Sequence, residues 1–248
     1  MNESVTKNEF FFPSSNGVNS IHAIEWRPEG RSICAVVQIA HGVAEYVDRY
    51  DGFARFLTQH GFAVVGNDHL GHGKSVSDDS ELGWFGDKGG WMTVVDDIKK
   101  LRDLYGEKHP GKPYFLLGHS MGSFLTRSFI IRYPDALDGV ILSGTGQQSA
   151  AACFAGSLLA GREIRRHGSK YRSEKLQKLA FGSYLKKIDH PAGPNDWLSR
   201  DAELVKRYTE DVLCGYTASA GLMRDMMFGL DFIRKPSHLE RMRKTMPV

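Results

Sequence analysis

With 248 residues, 41% of them hydrophobic and 25% charged, the chain has an ordinary globular composition, long enough for one large α/β core plus an insertion. Low-complexity and disorder signatures are absent. A formal net charge of +3, from 32 Lys and Arg against 29 Asp and Glu, is too near neutral to point to nucleic acid as a partner.

In chain order, the first residues carry neither the basic segment nor the apolar core of a secretory signal. Residues 9–12 and 20–26 alternate, with a turn cluster between them, and predict an antiparallel hairpin at a sheet edge. Residues 35–40 and 62–65 are short apolar runs that predict buried strands. Between them, residues 50–60 place Phe53, Phe56 and Leu57 at helical spacing, and Gly61 ends that helix. Residues 92–105 predict a second helix, with Val94, Val95, Ile98, Leu101 and Leu104 on its buried side. A strand at 114–117, a helix at 123–133 stopped by Pro134, and a strand at 139–142 complete a parallel sheet wrapped by helices.

After Gly146 the rhythm changes. Residues 147–235 read as a helical insertion with turn signals at Gly161, Gly182, Pro191, Pro194 and Gly215, and residues 236–244 as a connecting helix. Met246-Pro247-Val248 reads as the first residues of a further strand. The expected organisation is a core at 1–146, a helical cap at 147–235 and a connector at 236–248. No membrane span is expected, since the longest apolar runs fall far below ~20 residues. Cys34, Cys153 and Cys214 lack C-x-x-C spacing and read as reduced, partly buried thiols of a cytoplasmic protein.

The chemistry-bearing motif is Gly118-His119-Ser120-Met121-Gly122, a G-x-S-x-G between a predicted strand and a predicted helix. A serine on that sharp turn adopts a strained backbone, and glycines two residues to either side remove the collisions the turn would cause. Ser120 is therefore the expected nucleophile. The Met121 N–H, at a helix N-terminus, faces the place where an oxyanion would form. A second donor is expected from the loop His41-Gly42-Val43-Ala44-Glu45, where Gly42 allows close approach and Val43 offers its N–H. His41, Gly42, Gly118, His119 and Gly122 are the expected supporting residues.

Two further patterns are set aside. Gly73-Lys74-Ser75 resembles the end of a phosphate loop, but Asp68 stands where the first glycine belongs. Gly144-Thr145-Gly146 lacks the third glycine of a dinucleotide fingerprint. His69 and His72 have no carboxylate ligand set beside them, so residues 67–75 read as a hydrogen-bonded, Gly-rich loop supporting the site, without metal.

His41-Gly42-Val43-Ala44-Glu45-Tyr46, Asp68-His69-Leu70-Gly71-His72-Gly73-Lys74-Ser75 and the Ser120 motif together resemble the monoacylglycerol lipase and lysophospholipase group of α/β-hydrolases, also labelled serine aminopeptidase S33. The resemblance runs from about Phe10 to Val248. It implies an α/β-hydrolase fold with a cap that cleaves lipid esters of glycerol or lysophospholipids without a cofactor. It also implies Ser120 as nucleophile and the Val43 and Met121 N–H groups as oxyanion hole.

In this fold the triad acid and histidine follow the serine on later core strands. Downstream of Ser120 stand His167, His190 and His238, and Asp189, Asp196, Asp201 and Asp211, all in the cap or its connector, where surface and helix-anchoring roles are expected. The last core strands are thus expected to be missing, with the acid and base beyond residue 248, as in a truncated reading frame. The alternatives are a serine aminopeptidase or other acyl-transfer enzyme on the same frame, and a catalytically incomplete fragment.

The cap adds a substrate hint. Residues 161–175 hold six basic residues (Arg162, Arg165, Arg166, Lys170, Arg172 and Lys175) against Glu163 and Glu174, after an apolar stretch at 153–160. That pairing suits peripheral contact with a lipid–water interface, a solvated helix face being the plain alternative. Met223, Met226, Met227 and Phe228 read as core packing in preference to an acyl channel.

Overall fold

The apolar runs at the start of the core become the two central strands of one twisted sheet. The computed structural model describes residues 5–248; residues 1–4, part of the stretch read against a secretory signal, lie outside the described residues. Six strands, β1 Val5–Pro13, β2 Ser20–Pro28, β3 Ala35–Ala40, β4 Phe62–Asn67, β5 Tyr114–His119 and β6 Gly139–Ser143, lie in the order β1-β2-β4-β3-β5-β6. The β1–β2 hairpin and the β2–β4 pair are antiparallel, and the remaining pairs are parallel.

Period-2 alternation sends side chains to opposite faces of a strand. Val36, Ala63, Val65 and Leu116 pack under α2 (Gly90–Lys108) and α3 (Met121–Arg132). Val37, Ile39, Val64 and Leu117 pack on the other face with Ala54 of α1 (Asp51–Gln59). Both faces are covered, which is why these strands are apolar runs instead of alternating ones.

Helix faces depart from the expectation at three residues. Phe53 and Phe56 are 41% and 54% exposed. The buried stripe of α1 runs instead through Ala54 and Thr58, because Trp26 from β2 already fills the space beneath the helix and donates its indole N–H to Asp51. Leu104 is likewise exposed, and Tyr105 takes the inward position on α2. Of the three thiols, Cys153 and Cys214 are buried, whereas Cys34 is exposed at the start of β3.

Residues 150–232 carry α4 (Ala150–His167), α5 (Glu174–Phe181), α6 (Ala202–Glu210) and α7 (Ala220–Phe232). Gly161 does not make a turn; it lies inside α4, which ends at Gly168. Packing along α7 outweighs the helix penalty of a glycine, about 1 kcal/mol. Gly156 makes that packing close, since a Cβ there would lie 2.6 Å from the Met227 sulfur. Asp201 anchors α6 as expected, accepting from the Glu203 and Leu204 N–H groups. The connector is helical only at α8 (Pro236–Leu239), a single turn begun by the proline, and not through residue 244. Past it, the Pro247 carbonyl accepts from the Val140 N–H at 3.0 Å, on the outer edge of β6. No helix among the described residues is long and apolar enough to cross a membrane.

Candidate active site

Ser120 sits between β5 and α3 with φ 52° and ψ −118°, a conformation costing a non-glycine residue about 1–3 kcal/mol. The surroundings over-determine it. Its N–H donates to the Ser143 carbonyl at 2.9 Å, and its carbonyl accepts from the Ser123 N–H at 2.9 Å and the Ser123 hydroxyl at 2.6 Å. The flanking glycines are required by contact. A Cβ on Gly122 would stand 2.0 Å from the Ala40 carbonyl oxygen, and one on Gly118 would stand 2.4 Å from the Gly122 carbonyl oxygen. The turn places the fully buried Met121 at the first position of α3, whose aligned peptide dipoles favour negative charge there.

The loop after β3 comes up against this turn. A Cβ on Gly42 would lie 3.3 Å from the Ser120 Cβ, so only a glycine passes comfortably. The Gly42 N–H is taken by the buried Glu45 carboxylate at 2.6 Å, and Glu45 also accepts from the Tyr50 hydroxyl at 3.0 Å and pairs with Arg49. Val43 is half-buried and lines the cleft that opens above Ser120.

Beneath the loop lie three buried histidines. The His41 Nδ1–H donates to the Gly42 carbonyl at 2.7 Å while its Nε2 accepts from the His69 N–H at 2.9 Å, an arrangement that needs the neutral ring. Burial, reinforced by His69 and His72, holds the His41 pKa well below the usual histidine value. Burial likewise lowers His69 to about 3 and His72 to about 4. Residues 67–75 form the expected support. Asp68 accepts from the Val47 and Lys74 N–H groups and from His22, all at 2.8 Å.

The cleft has a volume of about 930 Å³. One side holds Ser120, His119 and the 42–45 loop; the other holds Phe181, Tyr184, Leu185, Trp197, Leu198 and Leu204. His119 is half-buried, with Nδ1 3.3 Å from the Ser143 hydroxyl. The structure thus brings together Ser120, Gly42, Val43 and His119 around one cavity, with His41, Gly118, Met121 and Gly122 packed behind it.

Among the described lining residues His167, His190 and His238 do not appear, nor do Asp189, Asp196, Asp201 and Asp211. His167 stacks on Tyr171, the His238 Nδ1–H donates to the Phe232 carbonyl, and Asp211 accepts from the Tyr46 hydroxyl. Met223, Met226, Met227 and Phe228 are absent from the lining too, and Met223 and Met226 are buried in the core. Burial pushes the Cys214 thiol up to about 12, which leaves it unreactive at neutral pH.

Sequence reasoning missed Arg49 and Tyr208, which also line the cleft. Glu45 stood in the quoted motif without a role. The Arg-Tyr pair at 49–50 carried no recognisable spacing, and Tyr208 reaches the loop from 164 residues away.

The open mostly parallel sheet, its antiparallel N-terminal pair and the strained serine at a strand-to-helix turn define an α/β-hydrolase. Comparison with known proteins agrees. The sequence profile of the family described as serine aminopeptidase, S33, matches residues 31–243, and the chain belongs to that family. A monoacylglycerol lipase of Mycolicibacterium smegmatis is 29% identical over 225 residues, covering 90% of this chain and 71% of that protein. The human monoglyceride lipase is 32% identical over 117 residues, 47% of this chain and 36% of its own length. A thermostable carboxyl esterase from Bacillus coagulans, solved in complex with glycerol, superposes with a TM-score of 0.87 at 28% identity, covering 98% of this chain and 78% of that one. The chain therefore spans about a third of the human relative and larger shares of the two bacterial ones.

Proposed function

We propose that this chain carries the nucleophile and oxyanion hole of a serine hydrolase that cleaves lipid esters, monoacylglycerols or lysophospholipids, through an acyl-enzyme on Ser120. The observation that carries the reading is Ser120 itself, held at positive φ beneath a cleft with an apolar wall. Ser120 Oγ attacks the ester carbonyl as its proton passes to a general base. The Val43 and Met121 N–H groups stabilise the tetrahedral oxyanion, which collapses to acyl-enzyme as the protonated alcohol leaves. Water then attacks the acyl-enzyme and returns the fatty acid and the free serine. No cofactor enters these steps.

The reading takes the triad Asp and His from beyond residue 248. The placement of every downstream histidine and of Asp189, Asp196, Asp201 and Asp211 outside the cleft lining supports this. It divides the chain into a core at 1–146, a cap at 147–235 and a connector at 236–248. The cap also supports peripheral membrane contact: Phe154 and Leu158 are exposed on α4 beside exposed Arg162, Arg165 and Arg166. Two of the six basic residues serve otherwise, since Lys170 bonds Ser80 and Arg172 bonds the Asp79 and Leu82 carbonyls. A cytoplasmic setting with unpaired thiols accords with three free cysteines.

Ester cleavage is favoured over aminopeptidase action by the charge in the cleft. Glu45 is the carboxylate among the described lining residues, and its oxygens are engaged by Gly42, Tyr50 and Arg49, leaving no carboxylate free to pair with a substrate ammonium. The test is labelling with an alkyl fluorophosphonate and peptide mapping, followed by a panel of monoacylglycerol, lysophospholipid and aminoacyl substrates on active protein. The expected adduct lies on the Ser120 peptide and disappears in Ser120→Ala. Equal labelling of both proteins overturns the assignment, and faster aminoacyl turnover overturns the substrate class.

A further inference from the structure

Ala44 is one of three non-glycine residues with positive φ among the described residues, at 53°, and it stands beside Val43. An alanine holds this left-handed conformation only when something fixes it, because its Cβ crowds the backbone there. Its carbonyl is gripped from the far side of the cleft: the Tyr208 hydroxyl donates to it at 3.0 Å and the Gly215 N–H donates to it at 3.0 Å. Tyr208 is buried near the end of α6, and its ring lies 4.8 Å from the Arg49 guanidinium. Arg49 pairs with Glu45, and Glu45 holds the Gly42 N–H. Gly215 is at positive φ and packs on the Tyr208 ring, where a Cβ would lie 3.0 Å from Cε1. One turn away, the Tyr46 hydroxyl donates to Asp211 at 2.7 Å. The loop over Ser120 is thus pinned at residues 42, 44 and 46, in the last two cases directly by the end of α6 and the segment that follows it.

We infer that Tyr208, with the Gly215 N–H, is a positioning residue for the oxyanion hole: by gripping the Ala44 carbonyl it holds the strained loop so that the Val43 N–H faces the reacting carbonyl. The inference rests on the proposed roles of Ser120 and Val43 and adds the device that couples cap to chemistry. Tyr208 also lines the cleft, so an ester chain lying along the cap meets the residue that sets the loop. A cap displaced from the core releases both donors at once, and Ala44 then relaxes toward negative φ. Release of the grip frees the 43–44 peptide, and the shift passes across the Val43 Cα to the preceding peptide plane, drawing the Val43 N–H it carries from its place. The cap in this arrangement is part of the catalytic geometry as well as a wall.

The experiment is Tyr208→Phe, which keeps the ring against Arg49 and removes only the hydroxyl. Two readouts are taken on the whole protein. In fluorophosphonate labelling, the maximal rate should fall about fivefold, the worth of one hydrogen bond, while the half-saturating probe concentration stays within about twofold. In NMR-detected hydrogen exchange, the Gly42 amide should quicken by a similar factor, while the Val47 amide, held separately by Asp68, stays unchanged. Adding Ala44→Gly to Tyr208→Phe should recover most of the labelling rate, because glycine adopts positive φ without the strain an alanine must overcome. An unchanged Gly42 exchange rate in Tyr208→Phe, or no recovery on adding glycine, overturns the inference. If the parent protein, with the chain that carries the triad base present, takes no label on Ser120, the proposed function fails, and the exchange result still decides whether Tyr208 sets the loop.

Discussion

The serine turn and the apolar wall at residues 181–204 face each other across one cleft, yet they are specified over very different stretches of chain. The turn depends on residues 118–122, the end of β3 and the carbonyl of Ser143, all backbone or glycine contacts at the centre of the sheet. The wall depends on side chains between 181 and 204 that remain open to solvent, with Tyr184, Trp197 and Leu204 at 45%, 36% and 44% exposure. Strain is stored where the backbone over-determines it, and apolar surface is left uncovered where a ligand chain is proposed to lie. Stability and recognition are therefore divided between the two sides, and substitutions should separate them.

The largest effect belongs to the turn. Gly122→Ala forces a Cβ into the Ala40 carbonyl and should cost more than about 3 kcal/mol of unfolding free energy, or prevent folding, in urea titration. A cost below about 1 kcal/mol would mean that the turn yields easily and is not over-determined.

Next comes acid sensitivity. The unfolded chain binds protons on His69 and His72 near the ordinary value of 6.5, while the folded chain refuses them down to about 3 and 4. Between those values the unfolded state holds more protons, so stability rises with pH and is lost as pH falls below 6.5, by up to about 1.4 kcal/mol per pH unit for each ring. Unfolding measured from pH 7 to 4.5 should show that slope, and His69→Gln should flatten it by one ring's share. An unaltered slope would remove the neutral histidine layer from the account.

A smaller and opposite effect tests the strain. Ser120→Gly relieves positive φ and should raise stability by about 1 kcal/mol while abolishing labelling. A loss of stability would show that the serine side chain contributes more than its backbone costs.

The smallest stability change is expected on the wall. Trp197→Ala, at an exposed ring whose centroid lies 4.7 Å from that of Tyr184, tilted by 56°, should cost less than about 1 kcal/mol. It should nevertheless raise the half-saturating concentration of a long-chain ester several-fold and leave a short-chain ester unaffected.

Much of the core was legible because its signals are local. The apolar runs at 35–40 and 62–65, and the elbow glycines, each announce a backbone requirement within a few residues. Gly161 misled because α4 packs against α7, a term no local pattern carries. Phe53 and Phe56 misled because helical spacing does not reveal that Trp26 already occupies the space below. The support of the 42–45 loop was half legible: Glu45 lies three residues from the N–H it holds, whereas Tyr208 reaches Ala44 only through the fold.

The central claim is that Ser120 and the two N–H groups form one reacting constellation. A structure of the protein after reaction with an alkyl phosphonate tests it most directly, because the phosphonyl oxygen stands in for the oxyanion of an ester. The account predicts phosphorus bonded to Ser120 Oγ, with that oxygen about 2.7–3.1 Å from both the Val43 and the Met121 nitrogen. An adduct on another residue, or a phosphonyl oxygen turned away from both N–H groups, would contradict it.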